Sequence, residues 1–352
     1  MTDGGAERAG EVEPSLPGAE LVGVRAAVIG TGLIGGSVLL RLRDAGFDVT
    51  GWDPDPTTRG YAAASGVTCA ESLDEAVAGR QVVFLCGPLP TLPETLLRVA
   101  GLVGERCVLT DVGSTKGELA AFAEAHGLTD RFVPGHPMAG TDRAGLTSAD
   151  PALFDGAAWV LCPAGGAGTA AFRWLADLVI RVFRAHVVPM SPTEHDAVVA
   201  LSSHVPHLLA RALAGAVHRA ELRDAVLGLA AGSFRDGTRV AATPSERTVN
   251  MLLGNRARVL EELARVGGVL DELAAALGAA DRTALVELHE EGRAARTGLF
   301  ERQLTRERRE FAVVGEQAEE LAWLLGLGSA GGHLTECRVV DGRVAYAGER
   351  PA

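Results

Sequence analysis

The 352-residue chain sets 33 Lys and Arg against 45 Asp and Glu, a formal net charge of −12, and is 47% hydrophobic but only 5% aromatic. That length suits two domains, with Ala, Leu and Val filling most of the core. The acidic balance excludes a general nucleic-acid binder, which needs a basic face to displace phosphate counterions.

The first twenty residues are acidic and rich in Gly and Pro. They lack the basic start and apolar stretch of a signal peptide and read as a disordered tail, residues 1–20. No apolar run reaches the roughly 18 residues of a membrane span, so no membrane partner is expected. The odd set Cys69, Cys86, Cys107, Cys162 and Cys337 has no C-x-x-C spacing. It reads as reduced thiols in a cytoplasmic protein. No Cys/His pair has zinc-ligand spacing, so no metal site is expected.

Residues 25–134 alternate short apolar runs with helical patterns. Strands are predicted at 25–30, 48–53, 81–86, 106–111 and 131–135, with a helix able to form in each interval. This alternation predicts an α/β Rossmann-type domain with a doubly wound, mostly parallel sheet. Further strands at 157–163 and 185–189 flank another helix and extend the domain over 21–190. Residues 191–328 show long Ala/Leu-rich helical periodicity and no convincing strand, which predicts an all-α C-terminal domain. The mixed Arg/Glu stretch 301–309 reads there as a solvated helix face. In the tail, 329–352, Asp341-Gly342 separates two alternating runs, a hairpin signal. The chain has no evident internal repeat.

Gly30-Thr31-Gly32-Leu33-Ile34-Gly35 fits G-x-G-x-x-G directly after a strand and at the start of a helix. Gly30 permits the tight turn, Gly32 lets the backbone approach a pyrophosphate, and Gly35 lets helix and strand pack closely. Asp53, at the end of the second strand, suits ribose hydroxyls and repels a 2′-phosphate, which argues for NAD over NADP. The bland alternative is a Gly-rich turn with a surface Asp.

Four further segments hold chemistry-bearing residues: Asp111–Lys116, Gly135–Gly140, His195-Asp196 through His207, and Phe234–Arg239. The first two follow strands, where open α/β sheets bind ligands. His136 titrates near neutrality and can accept a hydroxyl proton, or it is a histidine satisfied by backbone. Ser114 suits an N-cap before Lys116–Ala125, and Lys116 reads as a first-turn surface lysine. Arg239 offers a planar fork to a carboxylate, whereas Arg235 reads as an ordinary helix-surface arginine. His204 and His207 share a face if helical, with Pro206 between them as a kink or turn start.

The segments GTGLIGGS, DVGSTKG, GHPMAG, HDAVVALSSHVPH and FRDGTRVA, in that order, resemble the prephenate/arogenate dehydrogenase family over about residues 25–300. The resemblance implies oxidative decarboxylation of prephenate to 4-hydroxyphenylpyruvate with hydride transfer to NAD, in tyrosine biosynthesis. Arogenate or 4-amino-4-deoxyprephenate is the alternative substrate. It implies that His136 is the base, that Ser114 orients the same hydroxyl, and that Arg239 binds the substrate carboxylate. It also implies that His204 and His207 line the substrate pocket and that the helices form a homodimer. One segment departs: where the family commonly carries Pro-x-x-Trp, this chain has Pro244-Ser245-Glu246-Arg247-Thr248. Two rivals fit less well. A hydroxyacid dehydrogenase would need a lysine in the helical domain, and residues 192–300 contain none. A nucleotide sensor without turnover would lack His136 or Arg239.

Overall fold

The computed structural model describes residues 21, 23–64, 66–140 and 145–352; the expected N-terminal tail lies outside them. Five parallel strands form the first sheet: β1 (Arg25–Ile29), β2 (Asp48–Trp52), β3 (Val82–Leu85), β4 (Val108–Asp111) and β5 (Phe132–Val133), in the order β2-β1-β3-β4-β5. Between them run α1 (Leu33–Asp44), α2 (Pro56–Ala64), α3 (Leu73–Val77), α4 (Leu92–Leu102) and α5 (Gly117–Ala125). β3 and β4 are buried at every position. Helices cover both faces, so these strands are continuous apolar runs rather than alternating ones. The chain goes from β1 to β2 on one side and returns to β3 on the other. This places the topological switch point, where such sheets bind ligands, at the C-terminal end of β1.

The expected strand 131–135 is split. Pro134 ends β5, and β6 (Gly135–Pro137) begins a second sheet against β7 (Ala158–Leu161). α6 (Gly168–Arg181) leads to β8 (His186–Pro189), parallel to β7. The helical region follows. Its first elements are α7 (Pro192–Val199), a π-helical turn at Ala200–His204, α8 (Val205–His218), α9 (Arg223–Leu229) and α10 (Gly232–Thr238). It continues with α11 (Ser245–Gly254), α12 (Arg256–Gly278) and α13 (Arg282–Phe300). Ser191 and Glu194 form a capping box that starts α7. Pro206 sits in the first turn of α8, directly after the π turn. A proline clashes with the carbonyl one turn back and lacks an N–H, and the widened turn takes up both defects without breaking the helix.

Three expectations change here. Residues 301–309 are not a helix face: β9 (Leu304–Ala312) is an edge strand, followed by α14 (Gln317–Ser329), β10 (His333–Val340) and β11 (Arg343–Pro351). Alternating charge suits an exposed edge strand as well as a solvated helix, and here the ladder to β11 decides, with Arg306 and Glu349 paired across it at 3.0 Å. The helical region therefore ends at Phe300, not 328. The C-terminal segment is no separate tail either, because β10 and β11, joined through Asp341-Gly342 at φ 49° and 74°, extend the second sheet to the order β6-β7-β8-β10-β11-β9. Leu327, Leu334, Val344 and Tyr346 share one core with Val28, Phe172 and Phe183. Buried Arg173 grips Glu320 bidentately, and the Tyr346 hydroxyl donates to Glu320 at 2.5 Å, tying α6 to α14 and β11. Lastly, the sequence reading expected no apolar run of membrane-spanning length, but among the described residues the helical stretch Pro192–His218, at a mean hydropathy of 1.3, is long and apolar enough for one by length and composition.

Candidate active site

The switch point is shaped for a phosphate. Gly30 has φ 95°, and a β-carbon there would lie 2.8 Å from the carbonyl of Cys86 on β3. A β-carbon on Gly35 would collide with the Gly30 carbonyl oxygen. A side chain at Gly32 would meet nothing within 4 Å. Gly32 is the N-cap of α1, which has no side-chain cap and no acidic residue in its first turn. Its N–H groups and helix dipole are thus left for an anion. The remaining positions, Thr31, Leu33 and Ile34, shape the turn, with Thr31 and Leu33 buried. Asp53 stands beside it, accepting from the Thr31 N–H at 2.8 Å and the Asp55 N–H at 3.0 Å. A carboxylate has about four acceptor positions, so capacity for ribose hydroxyls remains. These residues fit a dinucleotide.

At the C-terminal end of β4 the sequence reading needs correction. Lys116 is not on the surface: it is fully buried, with its ammonium on the Asp111 carboxylate and 2.6 Å from the Gly135 carbonyl. Asp111 also accepts from the Gly113 and Gly135 N–H groups at 2.8 and 3.1 Å. This buried pair ties the loop after β4 to β6 and so fixes where His136 stands. Ser114 does not cap α5, which begins at Gly117 with Lys116 as its N-cap residue. Ser114 lies half-buried in the same loop.

His136 joins a chain of polar groups that crosses between the domains. Its Nδ1 is 2.9 Å from Nε2 of buried His195, whose Nδ1 is 2.8 Å from Oδ1 of Asp196. Asp196 also accepts from the Lys116 and Gly117 N–H groups, both at 2.8 Å. Burial alone would raise the Asp196 carboxyl, but the His195 ring and these two amides outweigh it and hold the group below the ordinary range. Asp196 is therefore an acceptor only, so His195 carries its proton on Nδ1 and presents a bare Nε2. His136 must then donate from Nδ1, which leaves its Nε2 unprotonated. Burial first, then the neighbouring His195, Lys116, His204 and Arg247, push the His136 ring well below the usual imidazole range. His195 is lowered too, again mainly by burial. His136 is thus a neutral base with a fixed tautomer.

The helical domain supplies the far wall. His204 is buried in the π turn, with Nδ1 3.2 Å from the amide of Asn255, which also donates to the Asp196 carbonyl at 2.7 Å. Burial lowers the His204 ring to about 4. His207, one turn on, is half-buried and lowered mainly by burial, with Arg211, Arg247 and Arg239 adding to the effect. Arg211 is occupied by the Thr243 carbonyl, Ser245 and Thr248. Arg239 and Arg247 are exposed and form no ion pair or side-chain hydrogen bond among the described residues. Of these two, only Arg247 acts on both His136 and His207. The structure thus brings His136, His204 and His207 near one another, with Arg239 close to His207. The roles of His195, Asp196, Lys116, Asn255 and Arg247 were not legible beforehand. Four of them, Lys116, His195, Asp196 and Arg247, lay in segments the sequence marked, and Asn255 did not.

An open G-x-G-x-x-G turn at the switch point, with a pre-set base on β6 tied to the C-terminal end of β4 and braced by the helical region, defines the class: a two-domain dinucleotide-binding dehydrogenase. Two family models narrow it. The nucleotide-binding domain of prephenate dehydrogenase matches residues 38–188, and the prephenate dehydrogenase dimerization domain matches 191–291. The chain belongs to the prephenate dehydrogenase family. It is 34% identical to the prephenate dehydrogenase of Bacillus subtilis over 66% of this chain, and it spans 64% of that relative's length. To the enzyme of Lactococcus lactis it is 32% identical, over 77% of this chain and 76% of the relative. Among solved structures it is similar to the prephenate dehydrogenase of A. aeolicus in complex with hydroxyphenyl propionate and NAD+. That match has a TM-score of 0.72 at 28% identity and covers 79% of this chain and 99% of that one.

Proposed function

We propose that the protein oxidatively decarboxylates prephenate to 4-hydroxyphenylpyruvate with NAD+ as hydride acceptor, with arogenate or its amino-deoxy analogue as the alternative substrate. The observation that carries the reading is the His136–His195–Asp196 chain, which leaves one bare imidazole nitrogen on β6, just past the C-terminal ends of β4 and β5. Gly30 to Gly35 and Asp53 would hold NAD+, and the bound cofactor supplies the hydride acceptor. His136 Nε2 takes the proton of the ring hydroxyl as that carbon is oxidised. Ser114 donates to or accepts from the same hydroxyl and orients it. Arg239 pairs with a substrate carboxylate as a planar fork, and His204 and His207 shape the pocket. Loss of the ring carboxylate as CO₂ then aromatises the ring. His195 and Asp196 act through His136: as it takes the proton, its Nδ1–H···Nε2 contact is backed by the Asp196 charge, which stabilises the imidazolium being formed.

The exposed apolar residues Val198, Leu201, Leu209, Leu213, Leu260, Val269 and Leu270 lie on α7, the π turn, α8 and α12, within the stretch matched by the dimerization model. They support a homodimer assembled through these helices. The unpaired cysteines suit a reducing, cytoplasmic setting. The test is absorbance at 340 nm with NAD+ and either prephenate or arogenate. Turnover of prephenate supports the reading, and inactivity toward both substrates refutes it.

A further inference from the structure

The substrate class proposed above has two acidic groups, and Arg239 and Arg247 offer two guanidiniums with no ion pair or side-chain hydrogen bond among the described residues. Arg239, at the C-terminal end of α10, stands beside His207. Arg247 is in the first turn of α11, and its Nη2 lies 3.3 Å from where a β-carbon on Gly140 would sit, so it reaches the loop that follows β6, the strand that carries His136. That position is held from behind. Arg211 binds the Thr243 carbonyl, Ser245 and Thr248, and Thr248 is buried. α11 also packs on the loop after β4, where a β-carbon on Gly254 would lie 3.1 Å from the Thr115 hydroxyl oxygen. Arg247 therefore projects from a braced helix end across the mouth between the two domains, and it occupies the last place of the Pro244-Ser245-Glu246-Arg247 segment, where the family pattern has tryptophan.

We propose that Arg247 is a second carboxylate-binding residue and that it sets the enzyme's preference for a cyclohexadiene dianion over an analogue bearing an ammonium. This rests on the dehydrogenase reading above. Prephenate carries two carboxylates and no cation. In arogenate the keto group is replaced by an ammonium next to the side-chain carboxylate, so the net charge falls to minus one. Two fixed guanidiniums attract the first more strongly and oppose the second's ammonium. An aromatic residue at this place would supply a wall with no such sign. Both substrates present the same hydroxyl to His136, so the discrimination resides in binding rather than in the chemical step.

The test is steady-state kinetics with saturating NAD+ on prephenate and on arogenate, for wild type, R247Q and R247K, with NAD+ affinity as a control for folding. R247Q should raise the KM for prephenate about tenfold with kcat within about twofold. It should also lower the prephenate-to-arogenate ratio of kcat/KM by about tenfold or more, with R247K in between. An unchanged ratio in R247Q overturns the proposal whatever happens to kcat, as does an equal loss on both substrates. Wild-type inactivity toward both substrates overturns the function itself and this inference with it, whereas an active wild type with an indifferent R247Q overturns only the role of Arg247.

Discussion

Asp196→Asn tests the polar chain with a change of one atom. In the native site Asp196 Oδ1 accepts from the His195 ring and the Lys116 N–H, and Oδ2 accepts from the Gly117 N–H. An amide replaces one oxygen by a donor. If the nitrogen faces Gly117, that partly buried N–H loses its acceptor. If it faces Lys116 and His195, the Lys116 N–H loses its acceptor instead, and His195 must move its proton to Nε2. His136 Nδ1 would then accept, Nε2 would carry the hydrogen, and the base would be blocked. Either orientation leaves one backbone donor unpaired, a cost of about 1–3 kcal/mol of stability. Because that cost is common to both, the blocked tautomer is well populated, and the remaining molecules lack the charge behind the imidazolium. We expect kcat to fall by about 10²–10⁴, the range general-base catalysis supplies, with a much smaller change in KM. Stopped-time NADH formation gives the rate, and nitrogen-15 NMR of the imidazoles reports the tautomer. A variant that loses stability but keeps the wild-type kcat would show that Asp196 only braces the domains and that the tautomer argument is wrong.

Other outcomes follow from the same geometry. NAD+ should be preferred to NADP+ by at least about tenfold in kcat/KM, since a 2′-phosphate would meet the Asp53 carboxylate; equal use of the two would remove Asp53 from that role. Arg239→Ala should act mainly on KM, at a cost of about 2–4 kcal/mol in substrate binding, and a loss of kcat with KM unchanged would contradict it. Stability should fall with acid. His204 is lowered to about 4 in the fold from 6.5, so the unfolded chain binds the extra proton, and the stabilisation is intact above 6.5 and lost as pH drops toward 4. Urea unfolding should show this one residue contributing a loss of about 2 kcal/mol between pH 7 and pH 5, a slope that His204→Gln should flatten.

The strands of the nucleotide-binding part were legible because each is an apolar run closed by Gly, Asp or Pro and buried on both faces. Pro134 closes β5 in the same way, but nothing local says that the chain passes there into a second sheet, so the two short strands read as one. Local pattern also misjudged β9. Its Arg and Glu residues are exposed in either conformation, and only pairing with β11, some 40 residues later, makes it a strand. Lys116 failed for a related reason. A lysine beside Gly and Glu looks solvated until the Asp111 carboxylate and the Gly135 carbonyl close over it. His136 could be picked out as a base from its residue type and place after a strand. Its tautomer depends on His195, 59 residues away on a helix of the other domain, and no periodicity in the sequence encodes that contact. Arg247 was visible only as a break in a pattern, and its reach toward Gly140 gives the break a chemical meaning.

The most direct test is a product balance. Wild-type protein given prephenate and NAD+ should form NADH, CO₂ and 4-hydroxyphenylpyruvate in equal amounts. His136→Asn, which keeps a hydrogen-bonding side chain but cannot take the proton, should lower all three rates together by about 10²–10⁴ while binding prephenate almost as tightly. NADH formed without CO₂, or a His136→Asn variant that turns over at the wild-type rate, would contradict the account.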